Sequence, residues 1–177
     1  MYQGSRVLLR PHRRDDLPLL WKYRTDVEVE LAGGGDPPKA LMLHQVEAEF
    51  EKGEFIFNDG FAMEVDGKYI GFCGIFNFNS LSHTCELGIT IGDKDYWSKG
   101  YGREAIGLLL FYGFQHRNVR RISLSTGSDN ERAIRCYLAS GFVEEGRQRQ
   151  HVWCDGKYVD MVHMGILKAE WEALQGR

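Results

Sequence analysis

The chain has 177 residues and a net charge of −3, from 22 Lys and Arg against 25 Asp and Glu, with a pI near 6.1. That length suits one compact domain, 1–177, with a substantial core, and the charge balance excludes the broad basic surface that general nucleic-acid binding needs. No apolar run is long enough to span a bilayer and MYQGSRVLLRPHRRDD lacks the apolar centre of a signal peptide, so no membrane partner and a cytoplasmic location are expected.

In chain order, RVLLRP reads as an opening strand, and Asp15 or Asp16 as the cap of a helix carrying Leu17, Leu20, Trp21 and Tyr23. Glycine and proline crowd LAGGGDPPKA, which predicts a mobile loop from Ala32 to Lys39; a second helix follows from about Leu41 to Lys52, and these elements would form a lid. FAMEV and YIGFCGIFNF flank DGK and read as a hairpin, with Asp66 and Gly67 supplying the positive backbone angles of a tight turn. Cys85, Leu87, Ile89 and Ile91 alternate with Glu86, Gly88 and Thr90, the period of a half-buried strand that continues the antiparallel run. After a glycine loop, Ala105 to Phe114 is apolar on almost every side, predicting a helix buried around most of its circumference. RISLST reads as a strand, and DNERAIRCYLASGF as a short helix capped by Asp129 or Asn130 and stopped at Gly141. Strands over Val143 to Val152 and Lys157 to Ile166 precede a terminal helix from Lys168 to Gln175.

Chemistry concentrates in ITIGDKDYWSKGYGREA, where a strand runs into a glycine loop that opens a helix. Gly100 and Gly102 let the backbone approach a ligand closely, and the free N–H groups and dipole of the helix favour an anion, so the loop is a phosphate cradle. GYGREA also satisfies GxGxxA, the dinucleotide pattern of a Rossmann oxidoreductase. Its context argues otherwise: that motif follows a first parallel strand and precedes an acidic residue about 20 positions on, and RISLST holds none.

The glycine loop in mid-chain, with DNERAIRCYLASGF behind it, resembles the GNAT superfamily of N-acetyltransferases over nearly the whole chain. RVLLRP, CELGITIGDKDYWSKGYGREA and DGKYVDMVHMGIL are most similar to the bacterial branch containing ribosomal-protein amino-terminal and spermidine acetyltransferases. The superfamily's loop pattern is Gln or Arg, two residues, Gly, one residue, then Gly or Ala. Gly100 and Gly102 match it, while Trp97 stands at the first position, as it often does in this branch. The resemblance implies an α/β fold of the α+β kind, with a mixed, mostly antiparallel sheet flanked by helices and splayed at the acetyl-CoA site. It also implies acetyl transfer from acetyl-CoA, a cosubstrate, to a primary amine by direct attack on the thioester.

On that reading the loop from Trp97 through Ser98, Lys99, Gly100, Tyr101 and Gly102 to Arg103 holds the pyrophosphate, its N–H groups aimed at the anion and the side chains of Lys99 and Arg103 adding charge. Ile89, Thr90 and Ile91 offer a strand edge to the amides of pantetheine, and a backbone N–H there would stabilise the oxyanion by about 3 kcal/mol. Tyr137, the tyrosine of the family's helix motif, would protonate the departing thiolate. Asn130, from the same motif, would bond the coenzyme arm or a water, and also suits a plain helix cap. Glu86, on the strand face opposite Leu87, is the carboxylate best placed to take the amine's proton; binding a cationic acceptor or pairing with an arginine are its other readings. The acceptor is open among a small-molecule amine, a polyamine and a protein amino terminus, and a homodimer or higher homo-oligomer is left open with it.

Other constellations carry less. Cys73, Cys85, Cys136 and Cys154 lack CxxC spacing and read as reduced, packed thiols; Cys136 has no His–acid arrangement to make it a nucleophile. His83, Cys85, His151, Cys154 and His163 lack the tight pairing of a zinc site, so no metal is expected. Asp26, Glu28, Glu30 and Asp36 would line a pocket for a cationic acceptor, or simply belong to a solvated loop. A coenzyme-binding module of the same fold, without catalysis, is the remaining alternative.

Overall fold

Alternating apolar and polar residues build one eight-stranded sheet in the computed structural model, which describes residues 1–34, 40–53, 57 and 59–176. The strands are β1 (Tyr2–Gln3), β2 (Leu8–Arg10), β3 (Asp59–Val65), β4 (Lys68–Asn79), β5 (Thr84–Ile91), β6 (Arg121–Gly127), β7 (Val143–Cys154) and β8 (Lys157–Leu167). Their order is β1-β2-β3-β4-β5-β6-β8-β7, and every neighbouring pair is antiparallel except β5 and β6. The helices are α1 (Leu17–Arg24), α2 (Val27–Gly34), α3 (Leu43–Lys52), α4 (Tyr101–Phe111), α5 (Glu131–Ala139) and α6 (Lys168–Gln175). Among the described residues no helix is long and apolar enough to cross a membrane.

The two faces of the sheet bury different sets of side chains. Cys73 and Ile75 of β4, Cys85 and Leu87 of β5 and Ile122 and Leu124 of β6 share the main core with Ala105, Ile106, Leu109 and Leu110 of α4. Other residues of β3 and β4 turn the other way: Ala62, Tyr69 and Phe72 pack with Leu17, Leu20 and Tyr23 of α1 and Val46 of α3. The hairpin turn is as expected, with φ of 50° at Asp66 and 78° at Gly67. On α4 the buried face is broad, yet Arg103, Gly107 and Phe111 form an exposed stripe at four-residue spacing, and a π-helical turn over Tyr112–His116 carries Phe114 inward.

Two expectations need correction. Residues Ala32, Gly33 and Gly34 are the last turn of α2 rather than the start of a loop; residues 35–39 lie outside those described. The helix forms despite its glycines because Asp26 Oδ1 accepts from the N–H groups of Glu28 and Val29, at 3.0 and 3.2 Å, and because Val29 is buried. Neither does Asp16 cap α1 with its side chain. That carboxylate is buried and accepts two hydrogen bonds from Arg10, at 2.7 and 2.8 Å, and one from the Arg13 N–H at 2.7 Å, tying the helix start to β2.

The parallel step between β5 and β6 determines where a ligand can enter. Parallel neighbours need a crossover, here the glycine loop and α4, which places the loop at the carboxyl end of β5. Only Thr84, Cys85 and Glu86 pair with Arg121, Ile122 and Ser123; beyond that rung the strands diverge. The start of α4 is fastened to the chain ahead of β2, because Glu104 Oε1 accepts from the backbone N–H groups of Arg6 (2.7 Å) and Val7 (3.1 Å).

Candidate active site

The divergence of β5 and β6 opens a cavity of about 440 Å³. Ile89, Thr90 and Ile91 form one wall, and Thr126 of β6 stands across from them. Trp97, Ser98, Gly100, Gly102 and Arg103 supply the end at the start of α4. α5 closes a side with Asn130, Ala133, Cys136 and Tyr137, and α2 covers the space with Val29, Ala32 and Gly33. Residues expected to act together therefore do surround one space. Lys99 and Tyr101 do not line it: the Lys99 carbonyl accepts from Arg6 Nη1 at 3.1 Å, and the Tyr101 ring lies 4.7 Å beneath the Arg6 guanidinium.

Backbone conformation makes the loop end receptive to an anion. Ser98 and Gly100 have φ of 58° and 88°, and no side chain caps α4, so its first-turn N–H groups are open toward the cavity end. At Gly102 an added Cβ would meet Cys136 Sγ and Ile91 Cδ1 at 3.6 Å, ordinary contact distance, so the missing side chain widens the cavity without being demanded by packing. Trp97 donates its Nε1 hydrogen bond to the Ile91 carbonyl at 2.7 Å, which fixes the loop to the end of β5.

Tyr137 is 8% exposed and packs edge-on to Phe142, with ring centroids 5.9 Å apart. Burial, with the neighbouring Cys136 adding to it, holds its phenol well above the usual tyrosine range, so the hydroxyl keeps its proton at neutral pH. Burial also pushes the Cys136 thiol up, against the pull of Arg103 and Arg132, which leaves it a poor nucleophile. All four cysteines are free. Asn130 does cap α5, accepting from the Ala133 N–H at 3.2 Å, and its Nδ2 donates to the Ala32 carbonyl; the amide thus ties α2 to α5 across the cavity. Asp129 is not the cap.

Glu86 lies outside the cavity wall, on the opposite sheet face from Cys85 and Leu87, half-buried. Its Oε1 accepts from Asn77 Nδ2 at 2.9 Å, and its strand neighbours are Phe76 and Ser123. Two of the acidic residues proposed for an acceptor pocket are already engaged: Lys94 Nζ lies 2.9 Å from Asp26 and 2.7 Å from Glu28. Asp36 lies outside the described residues. Among the described residues no group of three or more His, Cys, Asp or Glu is placed to hold a metal ion.

Sequence reading missed two cavity arginines, Arg132 and Arg135. Their spacing was a usable signal, since positions 132, 135 and 136 fall on one stripe of α5 and Cys136 faces the same space. Val29, Ala32 and Gly33 show the same spacing on α2, a period hidden in the sequence because the loop reading begins at Ala32.

Comparison with known proteins agrees with this architecture. Residues 6–143 match the family model described as an acetyltransferase (GNAT) domain. An uncharacterised N-acetyltransferase of Bacillus licheniformis is 26% identical over 175 residues, covering 94% of this chain and 96% of the relative. The spermidine N(1)-acetyltransferase of Escherichia coli K12 is 27% identical over 176 residues, covering 98% and 92%. Among solved structures, the spermidine N-acetyltransferase of Vibrio cholerae in complex with CoA and spermine superposes with a TM-score of 0.84 at 25% identity, covering 96% of this chain and 99% of that one. The sheet order, antiparallel around β4 and β5, is not that of a Rossmann domain. A strand pair that parts over a glycine loop, joined to a family match across most of the sequence, means that the chain belongs to the GNAT family of acetyltransferases.

Proposed function

We propose that this GNAT protein transfers the acetyl group of acetyl-CoA to a primary amine, with a polyamine as the acceptor class. The cavity between the parted ends of β5 and β6 carries the reading, because it joins an uncapped helix start to a buried, protonated tyrosine. Acetyl-CoA supplies a thioester whose carbonyl carbon an amine can attack. The N–H groups at the start of α4 and the side chain of Arg103 would hold the pyrophosphate, and the edge of Ile89 to Ile91 that β6 leaves unpaired would pair with the pantetheine amides, the Ile91 carbonyl itself being taken by Trp97. Tyr137 would donate its proton to the departing sulfur. Glu86 would receive the amine's proton or hold its cationic form, on the sheet face away from α4. The names of the relatives from Escherichia coli and Vibrio cholerae support a polyamine acceptor.

The test is coenzyme thiol release from acetyl-CoA in the presence of spermidine, a peptide with a free amino terminus, or an amino sugar. Spermidine should give the largest amine-dependent rate. Transfer to the peptide alone would reject the polyamine, and saturable acetyl-CoA binding without transfer to any amine would leave a coenzyme-binding module.

A further inference from the structure

Arg132 is out of place as a surface arginine. Its guanidinium carbon lies 3.6 Å from the centroid of the Trp97 ring, and the side chain is half-buried in the cavity wall. Its helix neighbour Arg135 pairs with Glu131 at 3.0 Å, and Arg6, Arg10, Arg121 and Arg147 each pair with a carboxylate. Arg132 has no ion pair among the described residues. Glu28 acts on it electrostatically, but that carboxylate is bonded to Lys94 Nζ at 2.7 Å.

We propose that Arg132 is a phosphate ligand of the coenzyme and that Trp97 is its positioning residue. This rests on acetyl-CoA being the ligand of the cavity. A partly desolvated guanidinium without a counter-ion is unfavourable until an anion completes it, and burial does pull this group's pKa down from its ordinary value. The stack defines what kind of anion fits. With its central carbon 3.6 Å over the indole centroid and its N–H groups making no hydrogen bond or ion pair among the described residues, the planar group can offer a bidentate grip to phosphate oxygens. The indole cannot swing away with it, because Nε1 is bonded to the Ile91 carbonyl at 2.7 Å. Trp97 also begins the loop that leads to the open N–H groups of α4, so guanidinium and helix start converge on one end of the cavity.

Calorimetric titration of the full chain with three thioesters tests the assignment: acetyl-CoA, acetyl-dephospho-CoA, which lacks the 3′-phosphate, and S-acetylpantetheine, which has no phosphate. R132A should weaken acetyl-CoA binding by about 10-fold, the scale of a charged hydrogen bond, and leave S-acetylpantetheine unchanged. R132K, which keeps charge but not the plane, should recover part of the loss. A loss that persists with acetyl-dephospho-CoA identifies the pyrophosphate as the partner, and one that vanishes identifies the 3′-phosphate. W97A should weaken acetyl-CoA, and R132A should add little in the double variant if the indole acts through the guanidinium. Unchanged acetyl-CoA affinity in R132A, an equal loss with S-acetylpantetheine, or full additivity with W97A would overturn the proposal; R132Q repeats the measurement should R132A not fold. Absence of acetyl-CoA binding in the wild type would instead remove the cavity's ligand, whereas normal wild-type binding with indifferent variants removes Arg132 alone.

Discussion

Glu86 and Ser123 form the last rung that joins β5 to β6, and the strands part immediately beyond it. Glu86 accordingly stands at the root of the cleft, next to the cavity but not in its wall. Glu86→Gln preserves size and can still accept from Asn77, yet cannot take a proton. Its kcat should fall by about 100-fold with acetyl-CoA affinity unchanged, and rise with pH as more of the amine becomes neutral. Steady-state kinetics from pH 7 to 9.5 check this; wild-type turnover in the variant would remove Glu86 as the base.

Tyr137→Phe tests the proposed proton donor. The ring and its packing on Phe142 stay, so acetyl-CoA affinity should change little, while kcat falls by about 10- to 100-fold. Burial raises the phenol's pKa, so it stays protonated well past the usual tyrosine value and contributes no alkaline loss of activity below about pH 10. A kcat–pH profile beside a titration of coenzyme affinity reads both effects.

The two loop glycines should respond differently. Gly100 has φ of 88°, and Gly100→Ala should destabilise the fold by about 1 kcal/mol. Gly102→Val meets only ordinary contacts at its Cβ, so its melting temperature should stay near wild type while acetyl-CoA binding weakens by at least about 10-fold, because the side chain would fill the end of the cavity proposed to hold phosphate. Thermal melts and calorimetry separate these outcomes, and normal affinity in Gly102→Val would displace the cradle.

His12 predicts an acid sensitivity remote from the cavity. Burial lowers its pKa to about 4, outweighing the opposite pull of Asp16. Between the unfolded value near 6.5 and that folded value, only the unfolded chain binds the proton, so stability falls as pH falls. The loss between pH 7.5 and 5 should be about 2 kcal/mol, and His12→Gln should remove this part of the slope. Urea midpoints at the two pH values measure it.

Features that depend on a few neighbouring residues were legible in the sequence. The alternation of β5, the Asp66-Gly67 turn, the glycine loop, the Asn130-capped helix and the terminal helix at Lys168–Gln175 all follow from local backbone preference and side-chain period. The Trp97–Arg132 stack, the engagement of Asp26 and Glu28 by Lys94, the docking of α2 against Asn130 and the exclusion of Lys99 from the cavity were not. Each depends on how elements distant in sequence are brought together. Local preference can open a helix at Gly100, but only the parting of β5 from β6, and the packing of α2 and α5 around that gap, decides which charges face a ligand and which are spent on one another.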